Sequence, residues 1–387
     1  MGKEKRLFLL AVMTVMMSTV GYGATHKTFN RVKDKPEEIQ KSEQETFKVE
    51  GSSDIGYRIT TGQGIVDKTN VESYAIITVE NGTGIKLDLG EKAKGKINVT
   101  NKGTVIVSAG IGVDLVTDKN NSNKGATNTF INDGTIEVAD GKGIQLNNEK
   151  DVVINNNEII VDKDTNGIGV SMSAGNFTNS ETGKITVGKN GIGIEQSGGT
   201  STNNGTILVH GGNQNSKPIG IKISDGAKAY NGENGIIELK DMNSTGMQVL
   251  NGTAYNKGTI KLGNKEEYAA QYSTGIKVSG TNSFAYNEGV ITINGEEKVT
   301  SQGMQAENSG TITNNGKEDK YSTIYVSGSA SSGMSAKTNG TAVNDKYGYI
   351  EATNKGTGIK VDGKGSTGTN KGSILVQEQE VPKECQQ

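Results

Sequence analysis

Few side chains in this chain could do covalent chemistry, and their spacing keeps them apart. Histidine occurs twice, at His26 and His210, and cysteine once, at Cys385. A single cysteine excludes an internal disulfide. Two distant histidines make neither a zinc ligand set nor a nucleophile–base pair, and both read as solvated. Arginine is confined to Arg6, Arg31 and Arg58. The best acid pair, Asp162 and Asp164, could act on a glycosidic bond only with further acids aligned beside it. The sequence offers none there, so a solvated turn is the reading. Gly363-Lys364-Gly365-Ser366-Thr367-Gly368 spells a dinucleotide fingerprint but opens no helix. No catalytic residue, cofactor or metal site is expected, and the chain is read as a non-enzyme.

The elements that would have to position any site repeat along the chain. One copy runs Gly252-Thr253-Ala254-Tyr255-Asn256-Lys257-Gly258-Thr259-Ile260-Lys261-Leu262, followed by Thr274-Gly275-Ile276-Lys277-Val278. Ile260/Leu262 and Ile276/Val278 are each separated by one lysine, the period of a strand with one buried and one wet face. The glycine before the second apolar pair recurs eleven times from Gly84 to Gly358. The asparagine closing the small-residue segment recurs eleven times from Asn101 to Asn370. Both markers return about every 27 residues, a solenoid period.

Period-2 patterning excludes helical repeats, and the leucine consensus of leucine-rich repeats is missing. The fold expected is all-β: a right-handed single-stranded parallel β-helix of about eleven coils, three short strands each. Stacked at ~4.8 Å, these make a rod on the order of 50 Å long. No coil buries its apolar side chains alone, so each must sit on its neighbour. The small or aromatic residue two before the asparagine (Phe130, Phe177, Ala229, Ala254) marks a narrow edge. The asparagines are expected to stack as a corner ladder that satisfies turning backbone. The glycine two residues later is expected in the left-handed region, with Asn157 the tolerated substitute in one copy.

Composition fits this reading. There are 55 glycines but three prolines, no tryptophan, and a net charge of −2. That charge balance gives no footprint for nucleic acid. Residues 1–24 have the basic start, apolar run and small-residue end of a secretory signal peptide, which predicts export. Residues 25–50 read as a charged linker and 51–76 as a degenerate first coil around Gly64-Ile65-Val66 and Asn70. The β-helix proper spans 77–376, and 377–387 is a polar tail.

Coil length varies mainly at one corner, between the Thr-Ile and the Gly-containing segments. The gap widens at 210–219, 263–274 and 294–302. Loops on a rigid scaffold commonly carry recognition, and tyrosine is a favoured contact residue. The binding residues expected on this edge are His210, Lys217, Pro218, Tyr268, Tyr272, Glu296 and Lys298.

The signal segment, the near absence of cysteine, and the Asn-x-Gly-Thr-Ile-x-Val and Thr-Gly-Ile-x-Val coils together resemble the passenger of a Gram-negative autotransporter (type V secretion) adhesin. The resemblance covers most of residues 1–376. It implies passage through the outer membrane, folding coil by coil at the cell surface, and a role in adhesion or virulence. It also implies a partner that is a host or bacterial surface protein or glycan. Beyond Val376 no alternating aromatic strands follow, so the β-barrel translocator is expected to be absent from this chain. The competing expectation is a polysaccharide hydrolase or lyase, because such enzymes share the architecture.

Overall fold

The structure is a computed structural model. It describes residues 27–31, 39–42, 46–49, 54–61, 68–91, 93 and 95–377, apart from 119–120, 122–125, 163–166, 211–216, 241, 264–271 and 295–299. The expected signal segment, His26, Asp164 and Cys385 lie outside the described residues.

The chain winds as a right-handed parallel β-helix with three strands per coil. Strand pairing is parallel throughout the rod. On the first face, which carries the Gly-Φ-x-Φ segments, Thr274–Ser279 lies between Thr245–Val249 and Gln302–Glu307. On the second, the Thr-Ile face, Thr259–Leu262 lies between Ile236–Leu239 and Val290–Ile293. On the third, the Asn face, Gly252–Asn256 lies between Ala227–Asn231 and Ser283–Asn287. Strands Ile76–Leu89 and Thr104–Thr117 run without a break round one corner. They join the first two faces into one 24-stranded sheet, while the Asn face forms a separate sheet of 13.

Among the described residues thirteen strands stand on the Asn face, the eleven expected and two more. The two extra ones come from the segment expected to be a charged linker and a degenerate coil. Strands Lys27–Arg31, Ile39–Ser42 and Thr46–Val49 pair with the coil that follows. The alternation Phe47-Lys48-Val49 aligns with Ile77-Thr78-Val79. The first Gly-Φ-x-Φ copy is Gly56-Tyr57-Arg58-Ile59, aligned with Gly84-Ile85-Lys86-Leu87; Gly64-Ile65-Val66 lies outside the described residues. Asn70 aligns with Asn98, and the corner position opposite Asn101 is Ser73. A serine where later coils carry asparagine hid these rungs from the marker.

The core is a stack of aliphatic columns. Ile136/Val138, Ile185/Val187, Ile260/Leu262 and their equivalents are essentially inaccessible, as are Phe130, Phe177, Ala229 and Ala254 on the opposite wall. The glycines of the Gly-Φ-x-Φ column exist to admit that core. A Cβ on Gly246 would come within 2.5 Å of both the Ile260 Cγ2 and the Gly275 carbonyl oxygen one coil up. Gly246→Ala is therefore expected to destabilise by about 1–3 kcal/mol through overpacking, read as a lowered urea midpoint with an unchanged slope.

The Asn ladder is continuous. Each side chain donates from Nδ2 to the Oδ1 of the next, from Asn101 through Asn132, Asn155, Asn179 and Asn203 to Asn231, at 2.8–2.9 Å. It continues through Asn256, Asn287, Asn314 and Asn344 to Asn370 at 2.7–2.8 Å. The backbone carbonyl of each also accepts the N–H of the residue after the next asparagine, as from Lys257 to Asn231 at 2.8 Å. The glycines that follow are not left-handed, contrary to expectation. Gly134, Gly205 and Gly258 lie outside the positive-φ set, and so does Asn157, whose amide donates to the Asp133 carbonyl at 3.3 Å. At Gly134 and Gly258 glycine is needed because a Cβ would run into the carbonyl oxygen of Gly103 or Gly235 in the coil below. Left-handed residues occupy the other corners, among them Asn190, Asn243, Tyr272 and Asn308.

Candidate recognition edge

The corner between the Thr-Ile face and the Gly face is built from two columns of backbone. On the side where loops leave, His210, Lys240, Gly263 and Asn294 each donate their N–H to the end of the strand below, at Val187, Val209, Leu239 and Leu262. Asn294 Nδ2 also donates to the Gly263 carbonyl at 3.1 Å, tying two consecutive loop exits together. On the return side stand Pro218, Ser244, Ser273, Ser301 and Ser331. The Ser244, Ser273 and Ser301 N–H groups donate to the hydroxyl of the serine one coil up, at 3.1–3.2 Å. All four serines are buried. This second ladder holds the residues that open the returning strands, Ser244, Ser273 and Ser301.

The expected contact residues divide accordingly. His210 starts the first loop and Lys217-Pro218 ends it, with the Lys217 N–H donating to Asn190 Oδ1 at 2.7 Å. Tyr272 ends the second; it is 60 % exposed, with φ at 53°. Tyr268, Glu296 and Lys298 lie outside the described residues. His210 is not the solvated side chain expected. It is half-buried, and burial together with the nearby Lys240 holds its imidazole below the usual range, so it is neutral at pH 7.

Two surface features escaped the sequence reading. Tyr230, Tyr255 and Tyr286 stack along three successive rungs of the Asn face, with ring centroids 4.8 and 5.3 Å apart and planes within 15°. Phe284, 38 % exposed, stands on the same face. A tyrosine directly before Asn231, Asn256 and Asn287 was the available signal. The other feature is a polar cluster on the Gly face of the early coils. Arg58 Nε donates to Asp88 Oδ2 at 3.0 Å, Gln145 Nε2 to Asp114 Oδ1 at 3.2 Å, and Lys142 Nζ to Gln145 Oε1 at 2.7 Å. Lys86 aligns with Asp114. Burial raises the Asp114 carboxyl, and Lys86 partly offsets it. Arg58 stands in a coil and meets an acid of the next coil, a pairing the residue order does not display. Lys86 and Asp114 face each other only once the register is known. Asp162 sits instead in the loop-exit corner, donating its N–H to Val138. Among the described residues no three His, Cys, Asp or Glu side chains group closely enough to hold a metal ion.

Stacked parallel rungs, a buried Asn ladder and loops gathered at one corner define a single-chain β-solenoid of the pectate lyase-like kind. The chain belongs to the family described as BigA third pectate lyase-like domain, whose model matches residues 38–348. No curated protein and no solved structure matches the chain.

Proposed function

We propose that the protein is an exported, surface-displayed β-helical passenger that acts in attachment rather than catalysis, with its contact edge at the loop corner. What carries the reading is that the described residues flanking the three insertions stand at one corner within four consecutive coils, and that those closing the second and third belong to the serine column. A rigid base with chemically mixed loops is the arrangement used for recognition. The partner is a surface protein or glycan of a host or bacterial cell.

Replacing 211–216, 264–271 and 295–299 by the shortest turns of neighbouring coils is expected to leave the circular dichroism and melting of the rod unchanged. Binding of labelled protein to cells is expected to fall at least tenfold. Unchanged binding by a folded loop-less rod would end this reading.

A second reading is carbohydrate-active catalysis, favoured by the Arg58–Asp88 and Asp114–Gln145 pairs on adjacent coils. Against it, Arg58 is already engaged by Asp88 and Asp114 by Gln145. Turnover of any of a panel of neutral and acidic polysaccharides, abolished by Asp114→Asn, would favour this alternative.

A further inference from the structure

The rod interior is apolar along the slot that closes each Gly-Φ-x-Φ strand: Leu146, Met172, Ile223 and Val249 fill it. Between Met172 and Ile223 the slot holds Gln196. The opposite wall changes at the same level, where Ser201 stands between Phe177 and Ala229. Gln196 and Ser201 are both fully buried. The Gln196 amide oxygen and nitrogen and the Ser201 hydroxyl have no hydrogen-bond partner among the described residues.

We propose that this rung is a binding site for an ordered internal water, held between the Gln196 carboxamide and the Ser201 hydroxyl. Stranding three polar atoms in an apolar core is costly, and a water satisfies such groups when two to four partners converge on it. Here Oε1 accepts, Nε2 donates, and Oγ does either, so one water can meet all three. Room for it comes from the wall. The Phe177 ring is succeeded by a serine and then by an alanine, while Gln196 is no larger than the Met172 beneath it. In the coil below, the same two positions are filled by the apolar Met172 and Phe177.

The test is a double-mutant cycle with Gln196→Met and Ser201→Ala, read by thermal melting alongside an atomic-resolution crystal structure. A bridging water predicts that each single change strips it of a partner and lowers Tm by about 2–4 °C. The double change, which removes every polar group at the site, then restores Tm to the parent value or above, and density for one water lies within hydrogen-bond distance of both side chains. Singles that each raise Tm, with effects that add in the double, would mean a dry, unpaired site and overturn the proposal. A crystal structure with the Gln196 amide bonded directly to Ser201 would overturn it equally.

Discussion

Asp151→Asn is expected to stabilise the protein at pH 7.5 by about 3 kcal/mol and to flatten its stability between pH 4 and 6. Asp151 lies in the corner between the Gly face and the Asn face and has no exposed surface. Its Oδ1 accepts the Asn128 N–H at 3.1 Å, while its Oδ2 and the Asn128 Oδ1 have no hydrogen-bond partner among the described residues. Burial pushes its carboxyl up to about 6, against the hydrogen bonds from Asn128 and Asn148, and the nearby Asp114 pushes the same way. The unfolded chain releases this proton near pH 4. The folded state therefore holds it more tightly, and stability rises as pH falls from about 6 towards 4. Above pH 6 the penalty stands in full. An asparagine keeps the acceptor for Asn128, carries no charge, and turns the second oxygen into a donor. Urea titrations of parent and variant across this range measure the difference directly. Asp114 and Glu137 are also raised by burial, so a shallower slope of the same sign remains. An Asp151→Asn variant less stable than its parent at pH 7.5 would contradict the assignment.

Asn231→Ala is expected to cost about 2–4 kcal/mol, more than a single lost hydrogen bond, because the ladder is cut at its middle. Asn231 accepts from Asn203 at 2.8 Å and donates to Asn256 at 2.8 Å and to the Gly235 carbonyl at 3.1 Å. Alanine leaves Asn203 without its acceptor and Asn256 Oδ1 without its donor, both in places water does not reach. Asn231→Asp fares no better, since it keeps the acceptor but loses both donors and buries a charge. Asn204→Ala, one residue past a ladder position and only partly buried, is the control and is expected to change stability by less than about 0.5 kcal/mol. Equal effects at 204 and 231 in denaturant titrations would show that the ladder does not support the rod.

The contrast between these two sites shows what the letters could carry. The ladder was legible because its residue recurs at a fixed period and has one structural reason to do so. The aliphatic columns were legible for the same cause. Ser73 stands where the marker should be, so the first two rungs were taken for a linker and a degenerate coil. The glycines after the ladder are read from the sequence as left-handed, with Asn157 as a substitute, and they are not left-handed. The reason for glycine at Gly134 and Gly258, a carbonyl of the coil below where a Cβ would go, depends on stacking distance. Arg58 and Asp88, like Lys86 and Asp114, meet only through register, and Asp151 is unusual only because the slot above it is Gly175 and the one below it Asn128. The loop corner was visible as unequal gaps; the serine column that holds it was not, because serine is common and its burial leaves no periodic sign.

A side-chain amide column is enclosed in the rod from Asn101 to Asn344, and hydrogen exchange of assigned Asn carboxamides by NMR reads it residue by residue. Protection should be strong at Asn132, Asn179, Asn231, Asn287 and Asn314, and near that of free amide at the partly buried Asn204. Carboxamides at ladder positions exchanging as fast as that one would contradict the stacked-rung structure itself.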